Sequence, residues 1–341
     1  MMKVLVTGTD GYIGVMLGQV LARRGYEVVG LDTGFYRDGW LSADPQVSQT
    51  QLRKDVRQVT IDDLRGFDAV FHLAELSNDP LGAHNPELTF DINHKGSVAL
   101  AANARAAGVP RFIYSSSCSV YGAGADDVKT EESEPNPLTA YARCKVLVEQ
   151  DVRAMADRDF CPTFLRNATA FGASPRMRFD VVLNNLAGLA WTTGKITMTS
   201  NGMPWRPLVH VLDICEAMVC TLEAPEEAVR GEIFNVGDSR FNYRVKEIAE
   251  FVGAAFPGCE VVFGTNDQDS RSYRVSFDKI HAHLPAFHCT RDAAMGAQQL
   301  FDLFSQLAMT RDDFEFRAYT RLKQLKYLLE TQQVDESLYW R

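Results

Sequence analysis

The 341-residue sequence predicts an α/β fold: a doubly wound parallel sheet with a smaller α/β lobe on its C-terminal side. Three observations lead to it. Short apolar runs alternate with helix-like segments through the first half, a glycine-rich turn follows the first run at once, and the alternation loosens after about Gly172. At 46% hydrophobic and 23% charged, the chain has ordinary globular composition and length enough for a large core and two lobes.

In chain order, KVLVTG (3–8), EVVGLD (27–32), QLRK (51–54), AVFHLA (69–74), RFIYSSS (111–117) and CPTFLRNA (161–168) read as strands, most of them apolar throughout as buried parallel strands are. Between them YIGVMLGQVLARRG (12–25), IDDLRG (61–66) and NHKGSVALAANARAAG (93–108) read as helices, the first and last ending at glycine. In the second half, FDVVLNNLAGLAWTTG (179–194) and VKEIAEFVGAAFPG (245–258) read as helices around a turn-rich strand region at 195–211. The division expected is a sheet domain over 1–171 with a return segment near 207–238, and a lobe over 172–206 and 239–341 that ends in an added helical tail.

The segment VLVTGTDGYIG is a strand, a glycine turn and a helix start, with Gly8, Gly11 and Gly14 three residues apart. The first glycine permits the tight turn, the second lets backbone approach a pyrophosphate, and the third lets the helix pack closely on the strand. Tyr12, Ile13 and Gly14 open the helix, whose free amides and positive dipole end suit phosphate. Asp32 ends the second strand, placed to accept from both adenosine ribose hydroxyls and to repel a 2′-phosphate. Asp55 and Val56 end the third strand, where an adenine edge would lie, so this half reads as a Rossmann domain for NAD.

The net charge of −9 argues against nucleic acid and anionic membranes as partners, but not against a phosphorylated small ligand held by a few arginines. Seven scattered cysteines without a CxxC pair predict reduced thiols and a cytoplasmic protein. The apolar run in MMKVLVTG is too short for a secretion signal, and no window has the apolar length of a membrane span. His281, His283, His288 and Cys289 match no standard zinc spacing, so no metal site is expected.

AYARCK (140–145) places Tyr141 and Lys145 four residues apart, on one face of a helix. Together with the glycine spacing and SSSCSVYG (115–122), this resembles the extended short-chain dehydrogenase/reductases, in particular the NAD-dependent nucleotide-sugar epimerase/dehydratase branch. HLAE (72–75), DINHKGS (91–97), GMPWRPLVHVLDI (202–214) and RSYRVSFDK (271–279) extend the likeness to about residue 305. The resemblance implies Tyr141 as general acid/base, Lys145 beneath the nicotinamide ribose, and Ser117 orienting the reacting alcohol. It adds Leu73, Ala74 and Asn93 to the cofactor contacts. A neighbouring ammonium and the cationic nicotinamide would both favour the phenolate of a tyrosine whose reference pKa is about 10.

In the same likeness, 4,6-dehydratases carry an Asp-Glu pair, and decarboxylases a glutamate, where this chain has Cys118 and Ser119. Neither acid is present, which points to a redox-neutral epimerase, most simply at C4, with a 4-keto nucleotide-sugar reductase and a non-catalytic dinucleotide sensor as alternatives. Cys118 reads either as an acid/base for a neighbouring carbon or as a small buried residue. The nucleotide-diphosphate sugar is expected to meet Ser77, Asn78, Asp79, Ser117, Cys118, Ser119, Thr169 and Asn184, with Arg206 and Arg271 on its diphosphate. Glu75 is unusual, standing where the branch has a small residue. The resemblance and the all-round apolar helices SVALAANARAA and VLVEQDVRAMA imply a homodimer. The tail beyond the branch's usual end is rich in large apolar residues, among them Phe314, Phe316, Leu322, Leu325, Leu329 and Trp340. It is therefore expected to pack back over the smaller lobe or across the dimer, away from the nicotinamide.

Overall fold

A computed structural model of the chain describes residues 1–42, 51–77, 79–122, 127–265 and 272–341. Seven parallel strands form the main sheet: β1 (Lys3–Thr7), β2 (Glu27–Asp32), β3 (Gln51–Arg53), β4 (Ala69–His72), β5 (Arg111–Ser117), β6 (Cys161–Asn167) and β7 (Ile233–Val236). Their order is β7-β6-β5-β4-β1-β2-β3. The chain winds one way from β1 through β2 to β3 and the other way from β4 outward, so the switch falls between β1 and β4, and the crevice for a ligand lies at the carboxyl ends of these strands. There Thr7 pairs in register with Leu31 and His72, and Ser117 with Asn167. The final strand, β7, is the return expected near 207–238.

Helices cover both faces. On one, α1 (Gly14–Arg23) and α5 (Val211–Glu223) bury Leu17, Leu21, Ile214 and Met218 against Val4, Val6 and Phe71. On the other, α2 (Ser97–Ala106) and α3 (Ala140–Arg153) bury Leu100, Ala104, Val148 and Val152 against Leu5, Val70, Tyr114 and Phe164. The helix expected over 93–108 is two pieces: Phe90–Gly96 winds as a wider π turn before α2 begins. The segment 61–66 makes one short turn, Ile61–Leu64, closed by a reciprocal cap between Thr60 and Asp63. A third cluster joins α4 (Val182–Thr193), α6 (Val245–Ala255) and α7 (Ala293–Leu307) through Leu183, Leu186, Ile248, Val252, Leu300 and Phe304.

The tail departs from expectation in where it goes. Phe314, Phe316 and Tyr319 do pack on this third cluster, with the Phe314 ring 4.9 Å from that of Phe179. The next helix, α8 (Arg321–Glu330), then crosses to the sheet, where Leu325, Leu328, Val334 and Leu338 join Leu31, Phe35 and Val56. Its apolar stripe finds its partner at the β2–β3 edge of the sheet, which α2 and α3 leave uncovered.

One buried polar network fixes α3 to the sheet. Arg166 on β6 donates from Nη2 to Glu149 at 2.7 Å and from Nη1 to the Tyr121 hydroxyl at 3.0 Å. Ser116 on β5 donates to Glu149, and Tyr121 to Asn235 on β7. Removing one partner strands a buried guanidinium, so Glu149→Ala is expected to cost about 3–5 kcal/mol in urea unfolding. A loss below about 1 kcal/mol would show that water reaches this network.

Candidate active site

The glycine turn forms as the spacing predicts. Gly8 holds φ +78, where a Cβ would lie 2.9 Å from the Ala74 backbone nitrogen, and a Cβ on Gly14 would lie 2.1 Å from the Gly8 carbonyl oxygen. Helix α1 has neither a side-chain cap nor an acid in its first turn, so no group of that kind competes for an anion there. Asp32 accepts from the backbone N–H of Gly34 at 2.8 Å and of Asp10 at 2.9 Å. Burial, and then the Asp10 carboxylate, push its pKa up to about 6. Arg176 lies on the same group, 3.7 Å from Asp10.

One cavity of about 710 Å³ is lined by Asp32, Asp55 and Val56, by Gly8, Gly11, Tyr12, Ile13, Gly14, Leu73 and Ala74, and by Ser117, Tyr141 and Lys145. Tyr141 and Lys145 sit in the first turns of α3, whose start is set by Thr139 accepting from the Ala142 N–H. Ser117 ends β5 and is within hydrogen-bonding reach of the Tyr141 phenol. Lys145 Nζ lies 5.4 Å from the Tyr141 ring centroid and donates to the Ser115 carbonyl. The expected trio is therefore assembled at one end of the cavity, and the expected adenosine contacts at the other.

Glu75 changes the electrostatics of that trio. Its carboxylate, fully buried, meets Lys145 Nζ at 2.5 Å and accepts from the Tyr114 hydroxyl at 2.6 Å. Burial alone would depress the Lys145 ammonium, but Glu75 and then Tyr141 hold it above its ordinary value. For Tyr141, burial pushes the phenol up, Lys145 pulls it down, and Glu75 with Asp79 pushes it up again. Lys145 thus faces both the Glu75 carboxylate and the Tyr141 phenol, and its pull on the phenol is outweighed by burial, so the phenol lies above its ordinary value rather than falling as the sequence spacing suggested.

On the substrate side Ser77, Asp79, Ser119, Thr169 and Arg206 line the cavity as expected. Three expected contacts do not. Cys118 is buried behind the wall and gives its thiol to the Arg166 carbonyl; burial pushes that thiol far up, which removes it as an acid/base. Asn184 faces inward and holds the Gly172 N–H and the Arg178 carbonyl, while Asn185, one residue on, lines the cavity instead. Asn93 acts through the backbone, bonding both the N–H and the carbonyl of Leu76 rather than facing the cavity. Asn78 and Arg271 lie outside the described residues. Arg178, Asp180 and Tyr273 also line the cavity. Arg178 was not among the expected site residues, and nothing local in the sequence marked its pairing with Asp180 at 2.8 Å. Among the described residues no group of His, Cys, Asp and Glu is placed to hold a metal, and no helix is long and apolar enough to cross a membrane.

The NAD-dependent epimerase/dehydratase family matches residues 4–237. The chain is 30% identical over 264 residues to a UDP-glucose 4-epimerase of Corynebacterium glutamicum, covering 73% of this chain and 79% of that protein. It is 28% identical over 260 residues to a dTDP-D-glucose 4,6-dehydratase of Mus musculus, covering 73% and 71%. Among solved structures, MoeE5 in complex with UDP-glucuronic acid and NAD matches with a TM-score of 0.75 at 26% identity, over 89% of this chain and 99% of that one. An NAD-dependent NDP-hexosamine 5,6-dehydratase, TunA, reaches 0.78 at 21% identity over 92% and 100%, a likeness of fold. The chain belongs to the NAD-dependent epimerase/dehydratase family, and its cofactor is NAD. The glycine cradle that any Cβ would fill, the uncapped α1 and the Asp32 carboxylate fit that dinucleotide.

The buried pair yields a measurable expectation. Removing the Glu75 charge takes away a group that raises the Tyr141 phenol and leaves Lys145 to act on it alone. Glu75→Gln should therefore move Tyr141 ionisation to lower pH, read as the ultraviolet difference titration against a Tyr141→Phe control. An unmoved titration would mean that Glu75 is neutral in the native protein.

Proposed function

We propose that the chain is a nucleotide-sugar 4-epimerase that oxidises its sugar transiently to a 4-keto form and returns the hydride to the opposite face. The observation that carries this reading is the convergence of Ser117, Tyr141 and Lys145 on a cavity whose wall offers no acid from positions 118 and 119. Elimination or decarboxylation calls for such an acid beside the reacting carbons, whereas inversion by oxidation and reduction does not. The two carboxylates nearest the trio are both engaged, Glu75 by Lys145 and Tyr114 and Asp79 by the Thr139 hydroxyl.

NAD, when bound, supplies the hydride acceptor and donor. Tyr141 takes the proton from the sugar hydroxyl and gives it back, one basic group serving both half-reactions. The Ser117 hydroxyl, within reach of the same phenol, orients the sugar oxygen. Lys145 holds the ribose next to the reacting centre and keeps a positive charge by the phenol. Arg206 and Arg178 supply guanidinium forks to the diphosphate of the nucleotide sugar, with Asn185, Thr169 and Ser119 along the sugar's path. The chain acts as a homodimer through the outer faces of α2 and α3, where Ala99 and Ala102 are exposed and Val98 and Leu147 half-buried.

Tyr141→Phe should retain NAD while losing about two to four orders of magnitude in turnover; near wild-type turnover would take Tyr141 out of the chemistry. Wild-type protein should interconvert UDP-glucose and UDP-galactose, or another 4-epimeric nucleotide-sugar pair, with no added cofactor. A requirement for stoichiometric reduced cofactor would replace the epimerase with a 4-keto reductase. Direct titration should show NAD binding more tightly than NADP, because Asp32 would face the 2′-phosphate. Light scattering at micromolar concentration should give twice the mass of the chain.

A further inference from the structure

The same cavity has a wall that lies beyond the span matched by the family. Thr320, Arg321 and Leu322, at the start of α8, line it together with Asp32, Tyr36 and the glycine turn. Arg321 is 3% exposed. Its guanidinium stacks 4.1 Å over the Tyr36 ring, its Nη1 donates to the Ala318 carbonyl at 3.2 Å, and its backbone N–H donates to Asp180. Its Nη2 is buried and has no hydrogen-bond partner among the described residues.

A buried guanidinium donor without an acceptor is costly unless a ligand supplies one. The charge around it points the same way. Arg178 and Arg321 both face the single carboxylate of Asp180, with Arg176 and Asp32 close by. Burial and then the neighbouring Arg178 lower the Arg321 guanidinium to about 10. Of Arg321's neighbours, Tyr36 and Asp32 belong to the strand end and loop that carry the adenosine contacts, and a dinucleotide brings ribose and phosphate oxygens there.

The rest of the tail pins Arg321 in place. Gln324 donates to the Phe35 carbonyl at 2.9 Å and Trp340 Nε1 to the Thr33 carbonyl at 2.7 Å. Arg57 lies 4.0 Å over the Tyr339 ring and donates to the Ser337 carbonyl. Thr33 and Phe35 immediately follow Asp32, and Arg57 is bound to Asp55, so the tail is anchored at both strand ends that carry the adenosine contacts.

We propose that the C-terminal tail completes the cofactor site, with Arg321 donating from Nη2 to the ribose-phosphate of the adenosine half of NAD and residues 332–341 clasping it there. The test is calorimetry on the full chain with NAD and with ADP-ribose, which carries the adenosine half without nicotinamide. Arg321→Gln should weaken both by the same factor, roughly ten- to a hundred-fold. Lys323→Gln, which removes an exposed charge from the same helix, should change neither affinity. Deleting residues 332–341 should speed NAD release, monitored by displacement with excess ADP-ribose, and this deletion carries the test if Arg321→Gln does not fold. Unchanged affinities in Arg321→Gln, an equal effect from Lys323→Gln, a loss for NAD that ADP-ribose does not share, or an unaltered release rate in the deletion would each overturn the proposal.

Discussion

Glu149 and Arg166 form the contact on which the arrangement of the catalytic end depends. Both are 3% exposed at the side chain, and their ion pair ties α3 to β6 while Ser116 and Tyr121 tie it to β5 and to the turn at its end. The three candidate catalytic residues come from these elements: Ser117 from β5, Tyr141 and Lys145 from α3. A buried pair of this kind contributes little net stability against well-packed apolar residues of the same volume. Its contribution here is angular. The helix cannot rotate about its axis without breaking a bidentate contact, so Tyr141 and Ser117 keep their mutual orientation.

The features legible in the sequence were those that depend on neighbours in the chain. A glycine turn, an acid at a strand end and a Tyr–Lys pair four residues apart are all set by local geometry, and each stands where the spacing put it. The errors have the same origin. Asn184 and Asn185 differ by one residue, about a third of a helical turn, and which of them faces the cavity is decided by Gly172 and Tyr12 from elsewhere in the fold. Cys118 directly follows Ser117 but begins a tight turn that sends its thiol to the Arg166 carbonyl. Asn93 was visible as a residue, but its partner Leu76 was not. Arg321 had no sequence signal at all, because its meaning comes from residues nearly three hundred positions earlier.

Glu75 illustrates how one substitution reads differently at the two levels. In the sequence it is an acid where a small residue was expected. In the structure it fills the space beneath Lys145, and its charge is compensated by that ammonium and by Tyr114. His72, three residues before it, is buried between Thr7 and Ser97, and burial with the nearby Lys145 lowers its pKa to about 3. It therefore stays neutral, and the charged groups set around the phenol are Lys145, Glu75 and Asp79. The trio works inside a closed electrostatic set, more insulated from solvent pH than a surface tyrosine would be.

The contact between Trp340 and Thr33 spans 307 positions of sequence. Closing so long a loop carries a large entropic cost before any contact repays it, and such contacts form late in folding. During synthesis the sheet strands β1 to β3 and the glycine turn leave the ribosome long before the segment that covers them. The adenosine end of the cavity would then stand open while the nascent chain grows and close only after the tail has docked. Such an order of events lets the dinucleotide enter a half-built site and become enclosed by the completion of the protein itself.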